Sequence, residues 1–134
     1  MAVMTPVHYT AGSDLVNTAI SRVRVPRGTM KVVWGPAAGG DTAIGVLTAN
    51  FPDKSIAIAA TFGTSTFTVE GSNDSTTGAD GTWIGLVDPQ GTLISKTANA
   101  IEQILENPMW IRPVFGAGTG SAMTATLECS TVKG

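Results

Sequence analysis

Oxygen-bearing side chains are concentrated between residues 66 and 83, in the stretch TFTVEGSNDSTTGADGTW. Carboxylate and amide oxygens are the ligands that calcium prefers, and four residues could supply them: Glu70, Asn73, Asp74 and Asp80. The ligand spacing of an EF-hand loop is absent, however, and Asn, Asp, Ser and Gly are also the residues of which turns are made. The stretch therefore predicts a polar loop between two strands. We predict neither a metal nor a cofactor.

A catalytic nucleophile would need a histidine base held beside it. His8 is the only histidine, and it lies in an N-terminal stretch with no sustained periodicity. Cys129 alternates with Leu127 and is interpreted as a small buried hydrophobic residue. No catalytic residue is therefore predicted, and the chain is predicted not to be an enzyme.

Two further patterns could indicate enzymatic or nucleotide chemistry. A carboxylate pair for glycoside hydrolysis could be drawn from four residues, although no spacing singles out one pair: Glu70, Asp88, Glu102 and Glu106. The glycines of GAGTG at 116–120 are followed by a predicted strand, whereas a dinucleotide fingerprint opens a helix. We predict a hairpin loop at 116–120.

The three tryptophans are the largest side chains that a binding site could use. Each of Trp34, Trp83 and Trp110 falls in a predicted strand, where filling the core or a subunit interface is the usual role. An exposed platform for sugar stacking is the alternative, and it would place a tryptophan near the loop at 71–82.

Composition limits the classes of partner. The 134 residues favour a single domain with one core, and a net charge of −2 argues against a nucleic-acid binder. Only 13% of the residues are charged, about half of the ~25% typical of soluble domains. No apolar run approaches the ~18 residues of a membrane span, and one cysteine allows no internal disulfide. A partner is therefore expected to cover part of the surface.

Alternating apolar residues predict strands along most of the chain. Val23 and Val25 alternate with arginines, and Ile56 and Ile58 precede Gly63 in a predicted hairpin or pair of neighbouring strands. A final strand is predicted to face inward with Met123, Ala125, Leu127 and Cys129. Ile101, Ile104 and Leu105 have the i, i+3, i+4 spacing of a helix, the only helical indication in the sequence.

About eight short strands with almost no helix predict an all-β fold, a jelly-roll-like β-sandwich over residues 20–134. Residues 1–19 show no regular period and are predicted to form an extended N-terminal arm. Four of the eight basic residues lie within ten positions of each other: Arg22, Arg24, Arg27 and Lys31. Such a cluster could dock on an acidic partner surface.

Two segments resemble a family of small virion proteins of tailed bacteriophages: FPDKSIAIAATFGTSTFTVEGSNDSTTGADGTWIGLVDPQG and KTANAIEQILENPMWIRPVF. In that family a TVEGSND…W…L.DPQG segment and an E…IRP strand recur in the same order. The resemblance covers roughly residues 51 to 130. It implies a jelly-roll-like capsid decoration or cement protein that stabilises the phage head.

A second resemblance is to discoidin-type carbohydrate-binding domains, through VEGSND…W and WIRP. The chain lacks the disulfide common in that fold, and Met109-Trp110 replaces the usual aromatic residue before Ile-Arg. This resemblance implies an alternative function, a carbohydrate-binding module of a phage tail or host-attachment structure.

The expected function is therefore a non-enzymatic cement protein that binds the outer surface of the assembled head and bridges its subunits. Its expected partners are the major capsid protein and further copies of itself, as a dimer or trimer, with neither nucleic acid nor membrane. The expected location is the capsid exterior of the virion after synthesis in the host cytoplasm. The residues expected to face the capsid are Thr5, Val7, Tyr9, Leu15, Arg22, Arg24 and Arg27.

Overall fold

The computed structural model describes residues 3–10, 14–15, 23–24 and 29–131 of the chain. These residues form fourteen strands and no helix. In chain order the strands are β1 (Val3–Met4), β2 (Val7–Thr10), β3 (Asp14–Leu15), β4 (Val23–Arg24), β5 (Thr29–Ala37), β6 (Thr42–Ala43), β7 (Val46–Leu47), β8 (Asp53–Thr61), β9 (Phe67–Ser72), β10 (Ile84–Gly85), β11 (Ser95–Lys96), β12 (Ala100–Gln103), β13 (Trp110–Phe115) and β14 (Ser121–Ser130).

Two five-stranded sheets make up the body of the protein. The first is antiparallel in the order β12-β8-β14-β5-β2. The second has the order β10-β9-β13-β7, and β11 also pairs with β9. Both sheets contribute to one hydrophobic core, which confirms the predicted all-β sandwich. The finer jelly-roll connectivity stays a prediction.

The core lies between the sheets and follows the alternation of the long strands. The four inward residues predicted for the last strand are all completely buried. On β8, Ile56 and Ile58 are buried, and on β9 Phe67 and Val69 are buried opposite them. The rings of Phe67 and Phe115 pack with their centroids 6.1 Å apart. Each such side chain contributes about 1.5–3 kcal/mol by leaving water.

Trp34 on β5 is the largest fully buried side chain. Its indole Nε1 donates a hydrogen bond of 2.7 Å to the carbonyl oxygen of Ile44. This bond satisfies the one polar group that the indole carries into the core, and it ties β5 to the segment that leads into the second sheet. The prediction that Trp34 fills the core is confirmed.

The predicted hairpin or pair of neighbouring strands around Gly63 and the predicted hairpin loop at 116–120 are wrong. β8 and β9 belong to different sheets, and so do β13 and β14, because the chain crosses the sandwich at both places. Three crossing segments meet at this end, and we call them the crossing corner: residues 38–40, 62–66 and 116–120. The amide of Gly120 donates to Ser65 Oγ at 2.9 Å, and the amide of Gly39 donates to the Gly120 carbonyl at 2.9 Å.

The helical indication around Ile101 does not become a helix, because residues 100–103 form edge strand β12 and pair with β8. Helical spacing over two turns is too short to form an isolated helix. The same residues also alternate with a period of two, since Ile101 and Leu105 are exposed whereas Ile104 is buried. Pairing with the edge of β8 that β14 leaves free, rather than the local spacing, therefore decides the conformation of residues 100–103.

The predicted N-terminal arm is extended where the structure describes it, but it does not lie apart from the body. β2 is antiparallel to β5 and is the edge strand of the first sheet. β1 runs parallel to β6, and β3 pairs with β4. The β2–β5 and β1–β6 pairs attach N-terminal residues to the sandwich.

Candidate functional site

The loop between β9 and β10 is the most polar feature of the described chain, and Asp80 organises one half of it. The Asp80 carboxylate accepts hydrogen bonds from Ser75 Oγ at 2.8 Å, from the Thr76 amide at 2.8 Å and from the Thr77 amide at 2.9 Å. The hydroxyl groups of Thr76 and Thr77 also donate to it. Together these bonds hold the pKa of Asp80 far below its ordinary value. The carboxylate therefore serves as an anchor for the loop backbone.

Asp74 organises the other half of the loop. Its Oδ1 accepts the Thr82 amide at 2.7 Å and Ser72 Oγ at 2.9 Å. The bond from the Thr82 amide, and then that from Ser72, lowers the pKa of Asp74, so this carboxylate is ionised at neutral pH. It closes the base of the loop by joining its two ends.

The loop is also fixed to the body of the second sheet. The amide of Gly45 donates to the Gly78 carbonyl at 2.8 Å, and the amide of Met109 donates to Asn73 Oδ1 at 3.0 Å. Gly78 has a φ of +85°, and a Cβ there would lie 3.0 Å from the Trp110 ring, so glycine suits both the turn and the contact.

Trp83 lies just before β10 rather than within a strand, and it packs on the outer face of the second sheet. Its Nε1 donates to the Asp80 carbonyl at 2.8 Å, and the guanidinium carbon of Arg112 lies 4.1 Å from its ring centroid. Arg112 also donates to Glu70 Oε1 from Nε at 3.1 Å and Nη2 at 2.9 Å. One face of this ring is therefore occupied by a cation–π contact.

A cleft of about 530 Å³ opens beside the loop, between the end of β9 and the segment before β13. This volume falls within the ~300–1,000 Å³ of small-molecule sites. Its lining combines polar and apolar residues and includes no lysine or arginine: Gly71, Ser72, Asn73, Asp74, Thr82, Ile84, Gly85, Leu86, Glu106, Asn107 and Pro108. The lining supplies carboxylate, amide and hydroxyl groups beside apolar side chains.

The Glu106–Pro108 side of the cleft is anchored to the body. Glu106 accepts the Val87 amide with Oε1 at 3.0 Å. Asn107 Oδ1 accepts a hydrogen bond from the Nζ of Lys54, whose side chain is buried and which also donates to the Phe51 carbonyl at 2.9 Å. A second hollow of about 310 Å³ is lined in part by Glu70 and Arg112.

The four residues weighed as calcium ligands have other roles in the structure. Asp74 and Asp80 bind the loop backbone, Glu70 pairs with Arg112, and Asn73 accepts the Met109 amide. Within the described ranges no group of three or more His, Cys, Asp or Glu side chains is arranged to hold a metal ion. The absence of metal chemistry stays a prediction.

The remaining candidate carboxylates are dispersed. Glu102 forms a 2.5 Å ion pair with Lys96, whereas Asp88 accepts the amides of Gln90 and Thr92 at 3.0 Å in the turn after β10. Cys129 is completely buried, as predicted, and burial raises the pKa of its thiol to about 12.

The residues expected to face the capsid are only partly described. Thr5 is exposed, Val7 and Tyr9 lie in β2, and Leu15 lies in β3. Arg24 lies in β4, and the β3–β4 register pairs Leu15 with Val23 and Asp14 with Arg24. This pairing brings part of the predicted arm next to the basic cluster. Arg22 and Arg27 lie outside the described residues.

Sequence reasoning found the loop side of the cleft but missed the side formed by Asn107 and Pro108. No motif marks these two residues, because their place in the cleft depends on the pairing of β13 with β9. The available signal was Asn-Pro before a strand, which only indicates a turn.

The sequence matches no known family model, no curated protein and no solved structure. Among the described residues, no helix has the length and apolar character needed to cross a membrane.

The Asp80 anchor predicts an acid-sensitive loop. A carboxyl group whose pKa is lowered on folding stabilises the fold above its unfolded pKa, near 3.8, and this contribution is lost as the pH falls toward the folded pKa. We expect Asp80→Asn to speed amide exchange at Thr76 and Thr77 by at least about tenfold at neutral pH. Hydrogen exchange followed by NMR measures this directly.

Asp88→Asn is the matched control, because it removes a carboxylate from another turn and should leave the amides of Thr76 and Thr77 protected. As the pH falls from about 4 toward the folded pKa, the protection factors of these amides, which correct for intrinsic exchange, should fall in the wild type and change little further in Asp80→Asn. Equal protection in both proteins at neutral pH would contradict the anchoring role of Asp80.

Proposed function

We propose that the protein is a decoration, or cement, protein on the exterior of a tailed-phage head. It is made in the host cytoplasm, binds the assembled capsid as a homo-oligomer and stabilises the head by bridging copies of the major capsid protein. The resemblance of residues 51–130 to small virion proteins supports this function, and the sandwich belongs to the fold class that this resemblance implies.

The observation that carries the proposal is an exposed apolar edge of the sandwich. Leu93, Ile101 and Leu105 expose 54%, 75% and 52% of their surface, and we call these three residues the apolar edge. The amide of Leu105 donates a hydrogen bond to the Val87 carbonyl at 3.0 Å, and Val87 forms an antiparallel bridge with Leu93. Leu93 and Leu105 therefore lie on either side of Val87. Ile101 lies on β12, the outermost strand of the first sheet.

An exposed apolar group at a sheet edge is typical of a surface that another protein covers. The chain has few charges to keep such an edge apart from other proteins, since only 13% of its residues are charged. The outer side of β12 also offers backbone groups to which a partner strand can add. Contact with the capsid or with another copy of the chain would bury the apolar side chains and these backbone groups.

A cement protein stabilises a capsid because it binds the assembled lattice more tightly than the separate subunits. Many symmetric copies act together, so that each contact can be modest while the total effect is large. Three exposed hydrophobic residues for each copy are compatible with such repeated contacts.

The test is binding to heads that lack the protein. We expect the triple variant Leu93→Ser, Ile101→Ser, Leu105→Ser to bind purified heads at least about tenfold more weakly, since ~1.4 kcal/mol of lost apolar burial corresponds to tenfold in affinity. Co-sedimentation gives the affinity, and light scattering after size exclusion gives the oligomeric state. Circular dichroism checks that the triple variant remains folded.

Ile84→Ser is the matched control, because Ile84 is 67% exposed but lies at the cleft rather than at the apolar edge. Undiminished head binding by the folded triple variant would remove the apolar edge from the interface. If the wild-type protein bound isolated tails and not heads, or neither, the cement function itself would be wrong.

The predicted arm and basic cluster can be tested in the same assay. Deleting residues 1–19 would also remove β2 from the first sheet, so single substitutions are preferable. Thr5→Glu, at an exposed position before β2, and Arg24→Glu, in β4, each add negative charge without deleting a strand.

A further inference from the structure

We propose that the cleft beside the loop binds a neutral monosaccharide unit of a glycan. The inference concerns the cleft, whose lining includes none of the three apolar-edge residues, and goes beyond capsid binding. It rests on the hydrogen-bonding groups that the cleft presents and on the apolar residues between them.

Two asparagines supply donors in a fixed orientation. Asn73 Oδ1 accepts the Met109 amide, and Asn107 Oδ1 accepts the Lys54 ammonium group. Each carbonyl oxygen is therefore engaged by the protein, whereas neither Nδ2 has a partner among the described residues. Since both residues line the cleft, their NH₂ groups are the atoms left to donate to a ligand.

Two carboxylates supply acceptors. Asp74 Oδ1 accepts the Thr82 amide and the Ser72 hydroxyl, and the two oxygens of a carboxylate together have about four lone-pair sites, so the group keeps further accepting capacity. Glu106 directs both oxygens at the single Val87 amide, at 3.0 and 3.3 Å, so each oxygen keeps further accepting capacity. The network around Asp74 keeps it ionised and in place.

The cleft also has apolar surface, which comes from Ile84, Leu86 and Pro108. Ile84 is 67% exposed although it is a large hydrophobic residue. A hexose ring presents hydroxyl groups at its rim and C–H groups on its faces. Its faces match the apolar residues, and its hydroxyl groups match the polar ones.

Charge and hydrogen bonding together select a neutral ligand. An anionic sugar would meet Asp74 and Glu106 with no lysine or arginine in the lining to compensate. A cation would be attracted to the carboxylates but would leave the two asparagine NH₂ groups without acceptors. Hydroxyl groups both donate and accept, so a neutral sugar satisfies all four side chains.

The experiment titrates the purified wild-type protein with methyl glycosides of glucose, galactose, mannose and N-acetylglucosamine. Saturation-transfer NMR detects binding, and amide shifts of the labelled protein locate it. We expect at least one neutral glycoside to bind with a Kd on the order of 1 mM or tighter. Shifts should be confined to residues 71–74, 82–86 and 106–108.

Asn107→Asp and Asn73→Asp are the decisive variants. Each keeps the oxygen that accepts the structural hydrogen bond and replaces the free NH₂ donor by an acceptor. Each is expected to weaken glycoside binding by about fivefold to tenfold, while circular dichroism checks that the variant remains folded at the assay temperature. Ile84→Ser should weaken binding similarly, and Ile101→Ser is its control on the apolar edge.

Charged probes complete the test. N-acetylneuraminic acid and spermidine should each bind more weakly than the best neutral glycoside. The proposal is overturned if spermidine binds most tightly, if no neutral glycoside binds at about 10 mM, or if Asn73→Asp and Asn107→Asp bind as the wild type does. Because these measurements need no phage heads, failure here leaves the capsid assay unaffected, and the reverse also holds.

Discussion

Trp34→Ala is expected to lower the free energy of unfolding by about 4–6 kcal/mol. Removing a completely buried tryptophan costs about 3–5 kcal/mol through lost burial and the remaining cavity. The Ile44 carbonyl also loses the donor that lies 2.7 Å away, which adds about 1 kcal/mol or more. Since domains of this kind are stable by only about 5–15 kcal/mol, the variant should be largely or wholly unfolded near 37 °C.

Urea unfolding followed by circular dichroism measures this loss. Trp83→Ala is the matched control, because it deletes the same side chain from the outer face of the second sheet, where its main described partner is Arg112. Trp34→Phe fills most of the volume and should retain a measurable transition. If Trp34→Ala were no less stable than Trp83→Ala, the role of Trp34 as the centre of the core would be wrong.

Gly116→Ala is expected to destabilise the sandwich by about 2–3 kcal/mol. A Cβ at this position would lie 2.4 Å from the Thr66 carbonyl oxygen, a backbone atom that can move only if the crossing corner shifts. The amide of Gly116 donates to that same oxygen at 2.8 Å, so any shift also weakens a hydrogen bond between two crossing segments. Overpacking of this kind costs about 1–3 kcal/mol.

Gly91→Ala separates steric conflict from backbone strain. Gly91 has a φ of +83°, and a Cβ there would meet no atom within 4 Å. Its replacement should therefore cost only about 1–2 kcal/mol of left-handed strain. A smaller loss in Gly116→Ala than in Gly91→Ala, measured by urea unfolding, would contradict close packing at the crossing corner.

Alternation in the sequence predicted which face of the long strands β8 and β14 is buried. Leu127 and Cys129 are buried as expected, and so are Ile56 and Ile58. Period-two burial is a local property, because successive side chains point to opposite faces of a strand. This part of the fold could therefore be predicted without knowing which strands pair.

Strand partners could not be predicted in the same way. Gly63 and the glycines at 116–120 are typical of tight hairpins, yet both places are crossings between sheets. What decides the outcome lies far away in sequence, as in the hydrogen bond between Gly120 and Ser65. A local pattern contains no information on such contacts.

The candidate site was likewise predicted only in the part that depends on local sequence. The loop from Asn73 to Trp83 was visible as a polar stretch, because turn residues have local signatures. The cleft was not, since its other side comes from residues 106–108, which the β9–β13 register carries next to the loop. The oxygen-rich residues first weighed as metal ligands instead stabilise the loop beside that cleft.

The position of β14 in the first sheet has a consequence for biosynthesis. β14 lies between β8 and β5 and pairs with both, although it is the last of the described strands to be made. Until residues 121–130 have left the ribosome, the β2–β5 and β8–β12 pairs lack the central strand that joins them into one sheet. We therefore expect the first sheet to form only after residues 121–130 have been synthesised, at the slow rates of folds dominated by distant contacts.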